Sequence, residues 1–130
     1  MNKNIEYLKN NAHKYENISI NVANLVNIFN FEFLPQIEEY FWEVRHLVSY
    51  SCEIKPATHL QNYQNLPDYI INKVKSQLKS TELCNTLTTA LFNHSKESLK
   101  HEFDVLLAQR KMKAVDVIGP MTREYFGLDN

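Results

Sequence analysis

The sequence predicts an all-α domain, an irregular bundle of about five helices, from three observations. Only two glycines occur, Gly119 and Gly127, so the first 118 residues lack the residue that tight hairpins and phosphate-cradling loops use. Walker loops, Gly-rich dinucleotide fingerprints and multi-hairpin β folds are thereby excluded. Apolar residues recur at spacings of three and four over long stretches. Proline and serine stand where such stretches begin, Pro at first helical positions and Ser at caps.

Taken in order, residues 2–15 suit a helix carrying Ile5, Leu8 and Ala12. Residues 18–33 alternate with period two around Ile18, Ile20 and Val22 and again around Phe29, Phe31 and Phe33. A short hairpin fits that alternation, but Val22, Leu25, Val26 and Phe29 also share a helical face and no Gly marks a turn, which favours helix. Pro35, followed by Glu38 and Glu39, opens a helix to about Glu53 through Ile37, Tyr40, Phe41, Val44, Leu47, Val48 and Ser51. Residues 54–66, with Pro56 and no period, read as a long loop. Pro67 opens a third helix, with Ile70, Ile71, Val74 and Leu78 on one face and Lys73, Lys75 and Lys79 on the other. Ser80 or Thr81 caps a fourth, with Leu83, Leu87, Ala90 and Leu91 aligned. Ser95 caps a long helix running to about Ile118, acids early and bases late, stopped by Gly119-Pro120. Residues 119–130 form a short tail, and the whole chain reads as one domain, its first 33 residues being the segment whose form stays open.

A chain of 130 residues buries enough apolar surface to fold alone. A hydrophobic share of 44% against a charged share of 22% places it outside the disordered class. Fourteen bases against 15 acids leave a net charge of −1, so no global field draws it to nucleic acid or anionic lipid. Cys52 and Cys84 lie in apolar stretches and no hydrophobic leader opens the chain, which points to a reducing cytoplasm. No apolar run reaches the roughly 20 residues of a membrane span. The abundance of Asn, Lys and Ile suits an AT-rich genome, bacterial or phage.

Glu43 and His46 have the Glu-x-x-His spacing of di-iron helical bundles, yet no second pair accompanies them. His94, Glu97 and His101 fall near one side of a helix, with His94 outside it if Ser95 is the cap. No metal or other cofactor is therefore expected. The run Arg45-His46-Leu47-Val48-Ser49-Tyr50-Ser51 begins like the Arg-polar-x4-His motif of HEPN-type helical ribonucleases, but Ser51 stands where the general base belongs. No catalytic residue is assigned, and the expectation is a protein that is not an enzyme. A helix-turn-helix drawn through 83–103 has a turn without Gly and a weakly basic recognition helix.

Two features ask for a partner. On the helix from Pro35, Trp42, His46 and Tyr50 follow at i+4 steps opposite the core stripe, among Glu39 and Glu43, where a solvated face is expected. Cover by the loop 54–66 or by the N-terminal segment is the competing reading. On the long helix, Val105, Ala108, Met112 and Val115 form a second apolar stripe that suits a homodimer face, or else a helix running centrally through the bundle. The expected function is a small protein-interaction protein, an adaptor, regulator or inhibitor using the aromatic row. The alternative is a nucleic-acid-binding regulator using Lys73, Lys75, Lys79, Arg110, Lys111, Lys113 and Arg123, and after it a helical nuclease-like enzyme.

Overall fold

In a computed structural model, which describes residues 2–11, 20–54, 60–89 and 94–128, the chain is a mixed α/β fold and not all-α. Helix α1 (Asn2–Asn11) comes first, and the remainder of its predicted span lies outside the described residues. Strand β1 (Asn21–Val26) follows, then a 3-10 turn at Phe31–Phe33, helix α2 (Leu34–Glu43) and strand β2 (Ser49–Ile54). The two strands pair in parallel, Asn21 opposite Ser49 through Val26 opposite Ile54. Parallel neighbours need a crossover between them, and α2 supplies it.

Residues 20–33 of the predicted segment are thus neither the favoured helix nor a hairpin, and residues 18 and 19 lie outside the described residues. Period two prevails there because Val22, Asn24 and Val26 turn inward while Asn21, Ala23 and Leu25 face out. β2 alternates likewise, with Tyr50 and Cys52 inward and Ser49, Ser51 and Glu53 outward. The helix predicted from Pro35 to Glu53 stops at Glu43, because its second half finds a strand partner distant in sequence. Val44, Leu47 and Val48 lie in the connecting turns, where Val44 and Val48 join Phe41 in a small core beneath α2.

Asparagine makes the turns for which the sequence has no glycine. Asn27 Oδ1 accepts from the N–H groups of Phe29 (2.9 Å) and Asn30 (3.2 Å), and Asn30 Oδ1 accepts from Asn27 N–H (2.9 Å). Asn30 Nδ2 donates to Leu25 O at 2.7 Å, tying that turn to β1. Within the predicted loop 54–66, Asn62 Oδ1 accepts from Gln64 N–H (2.7 Å) to cap a 3-10 turn at Tyr63–Asn65, and Tyr63 and Leu66 are core residues. Residues 55–59 of that loop lie outside the described residues.

Helix α3 (Asp68–Gln77) buries Ile70, Ile71 and Val74 as its spacing predicts. Helix α4 (Thr81–Thr86) starts at the expected cap, Ser80 Oγ accepting from Leu83 N–H at 3.2 Å, and ends before the predicted span does. Helix α5 (Lys96–Arg110) starts at the Ser95 cap but stops eight residues short of Ile118. Its end is a Schellman motif with Lys111 left-handed at φ 52: Met112 N–H donates to Leu107 O and Lys111 N–H to Ala108 O. A single turn, α6 (Ala114–Val117), precedes helix α7 (Pro120–Phe126), so the predicted tail carries a helix, its last two residues lying outside the described ones, and Gly119-Pro120 opens a helix instead of closing one. Gly127, at φ 64, closes α7 with the same motif that Lys111 forms on α5.

The main core gathers Val26, Phe31, Tyr63, Ile70, Phe103 and Phe126 with their neighbours. Phe31 stacks on Tyr63 at 5.0 Å, and Phe103 meets both Phe29 and Phe126. The crossover anchors later helices to this core. Glu38 on α2 and Glu32 in the preceding 3-10 turn place their carboxylates against the backbone N–H groups that open α4 and α7. Among the described residues, no helix is long and apolar enough to cross a membrane.

Candidate binding groove at the edge of the sheet

Where α2 ends, Phe41 turns under the sheet and stacks on Tyr50 of β2, ring centroids 4.6 Å apart and planes 9° from parallel. This pair fixes β2 against α2 and floors a groove of about 710 Å³. Trp42, the next residue, cannot share that direction on a helix and stands 59% exposed at the groove's rim. The Arg45 guanidinium lies 4.0 Å from the centre of the Trp42 ring, and its Nη1 donates to Trp42 O at 2.7 Å. The indole is thereby held between solvent and a cation.

The opposite bank is built by Glu38. Its Oε1 accepts from Lys79 N–H at 2.7 Å and its Oε2 from Ser80 N–H at 3.0 Å, which seats the start of α4 across from β2. Lys79 and Ser80 line the groove with Val48 and Ser49. A second hollow of about 300 Å³ shares Glu38, Tyr50 and Ser80 and runs on past Ser51, Cys52 and Ile54, facing Glu82, Leu83 and Thr86. Burial and the neighbouring Cys52 thiol push the Tyr50 hydroxyl far above its ordinary range, and burial also pushes the Cys52 thiol up. The Cys52 thiol donates to Tyr50 Oη at 3.3 Å.

The structure therefore brings Trp42, Tyr50 and Lys79 to one groove, but not as the sequence arranged them. Tyr50 sits on a strand, half-buried, and is no third step of a helical row. His46 is exposed in the turn after α2, and Glu39 and Glu43 are exposed on α2, all three outside the lining. Val105 and Ala108 are exposed on α5, Met112 in the turn after it and Val115 on α6, so the predicted stripe is split between elements and is not central. Lys73 is exposed and Lys75 half-buried on α3, while Arg110, Lys111 and Lys113 are exposed around the end of α5. Arg110 lines a separate hollow of about 290 Å³ with Phe29, Leu107 and Met112.

Sequence reasoning missed Phe41, Arg45, Glu38 and Ser80 as groove residues. Glu38 carried only the signal of an acid near a helix start, and its real partners are 41 and 42 residues away. Among the described residues, no group of three or more His, Cys, Asp or Glu side chains is placed to hold a metal ion. His94 Nδ1 lies 3.0 Å from Asn65 Oδ1, which also accepts from His94 N–H.

No family model matches the chain, and neither a curated protein nor a solved structure matches it. Its own geometry defines the class: a small mixed α/β protein with an open groove, aromatic on the floor and basic at one end, beside a two-stranded parallel sheet.

Proposed function

We propose that this is a binding protein that takes a protein partner in the groove beside Trp42. The carrying observation is the 59% exposure of Trp42 under the Arg45 guanidinium, at the rim of a groove floored by the Phe41–Tyr50 stack. An indole left in water beside desolvated aromatics and a cation has the make-up of an interface anchor. The remaining groups support binding over group transfer. Both oxygens of Glu38 are occupied by backbone N–H groups, and burial moves the Tyr50 hydroxyl and the Cys52 thiol further from ionisation.

The test compares capture of proteins from the source cell by the immobilised protein and by Trp42→Ala and Lys79→Gln variants of equal melting temperature. Capture is expected to fall about 30-fold in affinity with Trp42→Ala, the size of a hot-spot truncation. A partner retained equally by both variants places the interface elsewhere and overturns the reading.

The apolar residues Val105, Met112 and Val115, 38%, 46% and 43% exposed, support a second contact in which two copies meet through the α5–α6 face. Its test is the mass in solution.

A further inference from the structure

The two hollows beside β2 are lined by Ser49, Tyr50, Ser51 and Cys52 in succession. Successive residues of a strand point to opposite faces, so a groove that meets all four runs along the strand's edge and not over a face. The backbone there has a definite polarity. Ser49 N–H donates toward β1, to Ile20 O at 2.9 Å. By the alternation of a parallel strand, the N–H and C=O groups of Tyr50 and Cys52 point the other way, into the groove. Among the described residues the sheet has two strands, and no third lies on that side. An edge of this kind is a template for another extended backbone.

Charge picks out the occupant. Among the described residues, neither Arg45 nor Lys79 forms an ion pair, whereas the carboxylate between them, Glu38, already holds two backbone N–H groups. The groove therefore presents, at the end where β2 begins and beside the Phe41–Tyr50 floor, two cations with no carboxylate partner among the described residues: Lys79, and Arg45, which rests on Trp42. At the far end stand Glu82 and the aliphatic Ile54 and Leu83.

We infer that the groove binds an extended peptide segment of the partner, which adds as a strand to the free edge of β2 and sets an acidic residue, next to an apolar one, at Arg45 and Lys79. This rests on the reading of the groove as a protein-binding site and specifies its mode. The backbone of the segment meets Tyr50 and Cys52, and its alternate side chains enter the Trp42 end and the Leu83 end.

The test selects nine-residue segments from a displayed random library on the wild-type protein and measures the selected peptides in solution. The readout is emission from Trp42, the one tryptophan of the chain. Selected peptides are expected to carry an acid beside an aromatic or aliphatic residue and to blue-shift Trp42. Arg45→Gln and Lys79→Gln should each weaken them several-fold, with a salt dependence that the wild type shows and the double variant loses. N-methylation of the peptide backbone should cut affinity about tenfold at every second position and little between, since alternate N–H groups face β2. Peptides that need Trp42 but tolerate N-methylation at every position overturn the strand-addition mode and leave the groove as a binding site. Peptides indifferent to Trp42→Ala, or no selected peptide at all, overturn both. Enrichment of basic residues overturns the assignment of Arg45 and Lys79.

Discussion

Glu32 caps a helix that begins almost ninety residues later, and Thr122 of that helix meets it twice. Glu32 Oε2 accepts from the Thr122 hydroxyl at 3.0 Å and from Thr122 N–H at 3.1 Å, while Oε1 accepts from Met121 N–H at 2.9 Å. The carboxylate thereby takes the place of an N-cap side chain, which Gly119 does not have. Gly119 has an ordinary extended conformation, so its value lies in space: a Cβ there would overlap the Glu32 carboxyl group.

Gly119→Ala is therefore expected to dislodge Glu32 and destabilise the fold by about 1–3 kcal/mol, the cost of leaving buried donors without an acceptor. Glu32→Ala should cost a similar amount. In the double variant the two losses should fall well short of adding, because each removes the same cap. Denaturant titration of the four proteins measures this, and additive losses would disprove the shared mechanism.

Glu38 tethers the residues just ahead of α4, as Glu32 holds the first turn of α7, and the consequence reaches the groove. Glu38→Ala should cost about 1–2 kcal/mol and speed hydrogen exchange at the N–H groups of Lys79 and Ser80. It should also weaken any ligand of the Trp42 groove, since the opposite bank loses its tether. Unchanged exchange at those two positions would show that the Ser80 cap alone holds α4.

Much of this architecture is legible in the sequence, and the failures have particular causes. Pro35, Pro67, Ser80 and Ser95 each mark a helix start, and Ile70, Ile71 and Val74 form the buried face their spacing predicts. β2 is hidden because Val44, Leu47, Val48 and Ser51 happen to fall at helical intervals, while what makes the segment a strand is pairing with β1, which no local window contains. The scarcity of glycine argues against reversals only if glycine alone makes them. Here Asn27, Asn30 and Asn62 do so with side-chain amides, so residues that look like genomic bias are turn formers. For the groove, the outward place of Trp42 is visible, but the Tyr50, Glu38 and Lys79 that complete it meet only through tertiary contacts.

The matched motifs at the ends of α5 and α7 give a direct comparison. Gly127 and Lys111 occupy the same left-handed position, which suits glycine and strains a lysine. Lys111→Gly should raise stability by about 0.5–1 kcal/mol, the relief of strain being partly offset by the entropy that glycine gains when unfolded. Loss of stability would mean that the Lys111 side chain makes a contact worth more than the strain.

High pH should loosen the floor of the groove. Tyr50 is held protonated by burial, so its folded pKa lies above the unfolded one. Its contribution is complete below the ordinary tyrosine value near 10 and declines as pH rises beyond it toward the folded value. Cys52 has the same sign, with its decline starting from the ordinary thiol range. Stability measured from pH 8 to 11 should therefore fall more steeply in the wild type than in Tyr50→Phe, which cannot ionise there. Parallel curves would show that Tyr50 does not feel its burial.

The sharpest contrast lies between neighbours. Phe41 is 3% exposed and stacked on Tyr50, whereas Trp42 is 59% exposed with the Arg45 guanidinium over its ring. Phe41→Ala should open a cavity and cost about 3–5 kcal/mol of stability. Trp42→Ala removes one exposed cation–π contact and should cost about 1 kcal/mol or less. In the isolated protein the emission of Trp42 should be red-shifted and readily quenched by iodide, which Arg45 attracts. A blue-shifted, protected emission, or a loss from Trp42→Ala approaching that from Phe41→Ala, would mean that another part of the chain covers the indole, and the groove would then have no anchor to offer a partner.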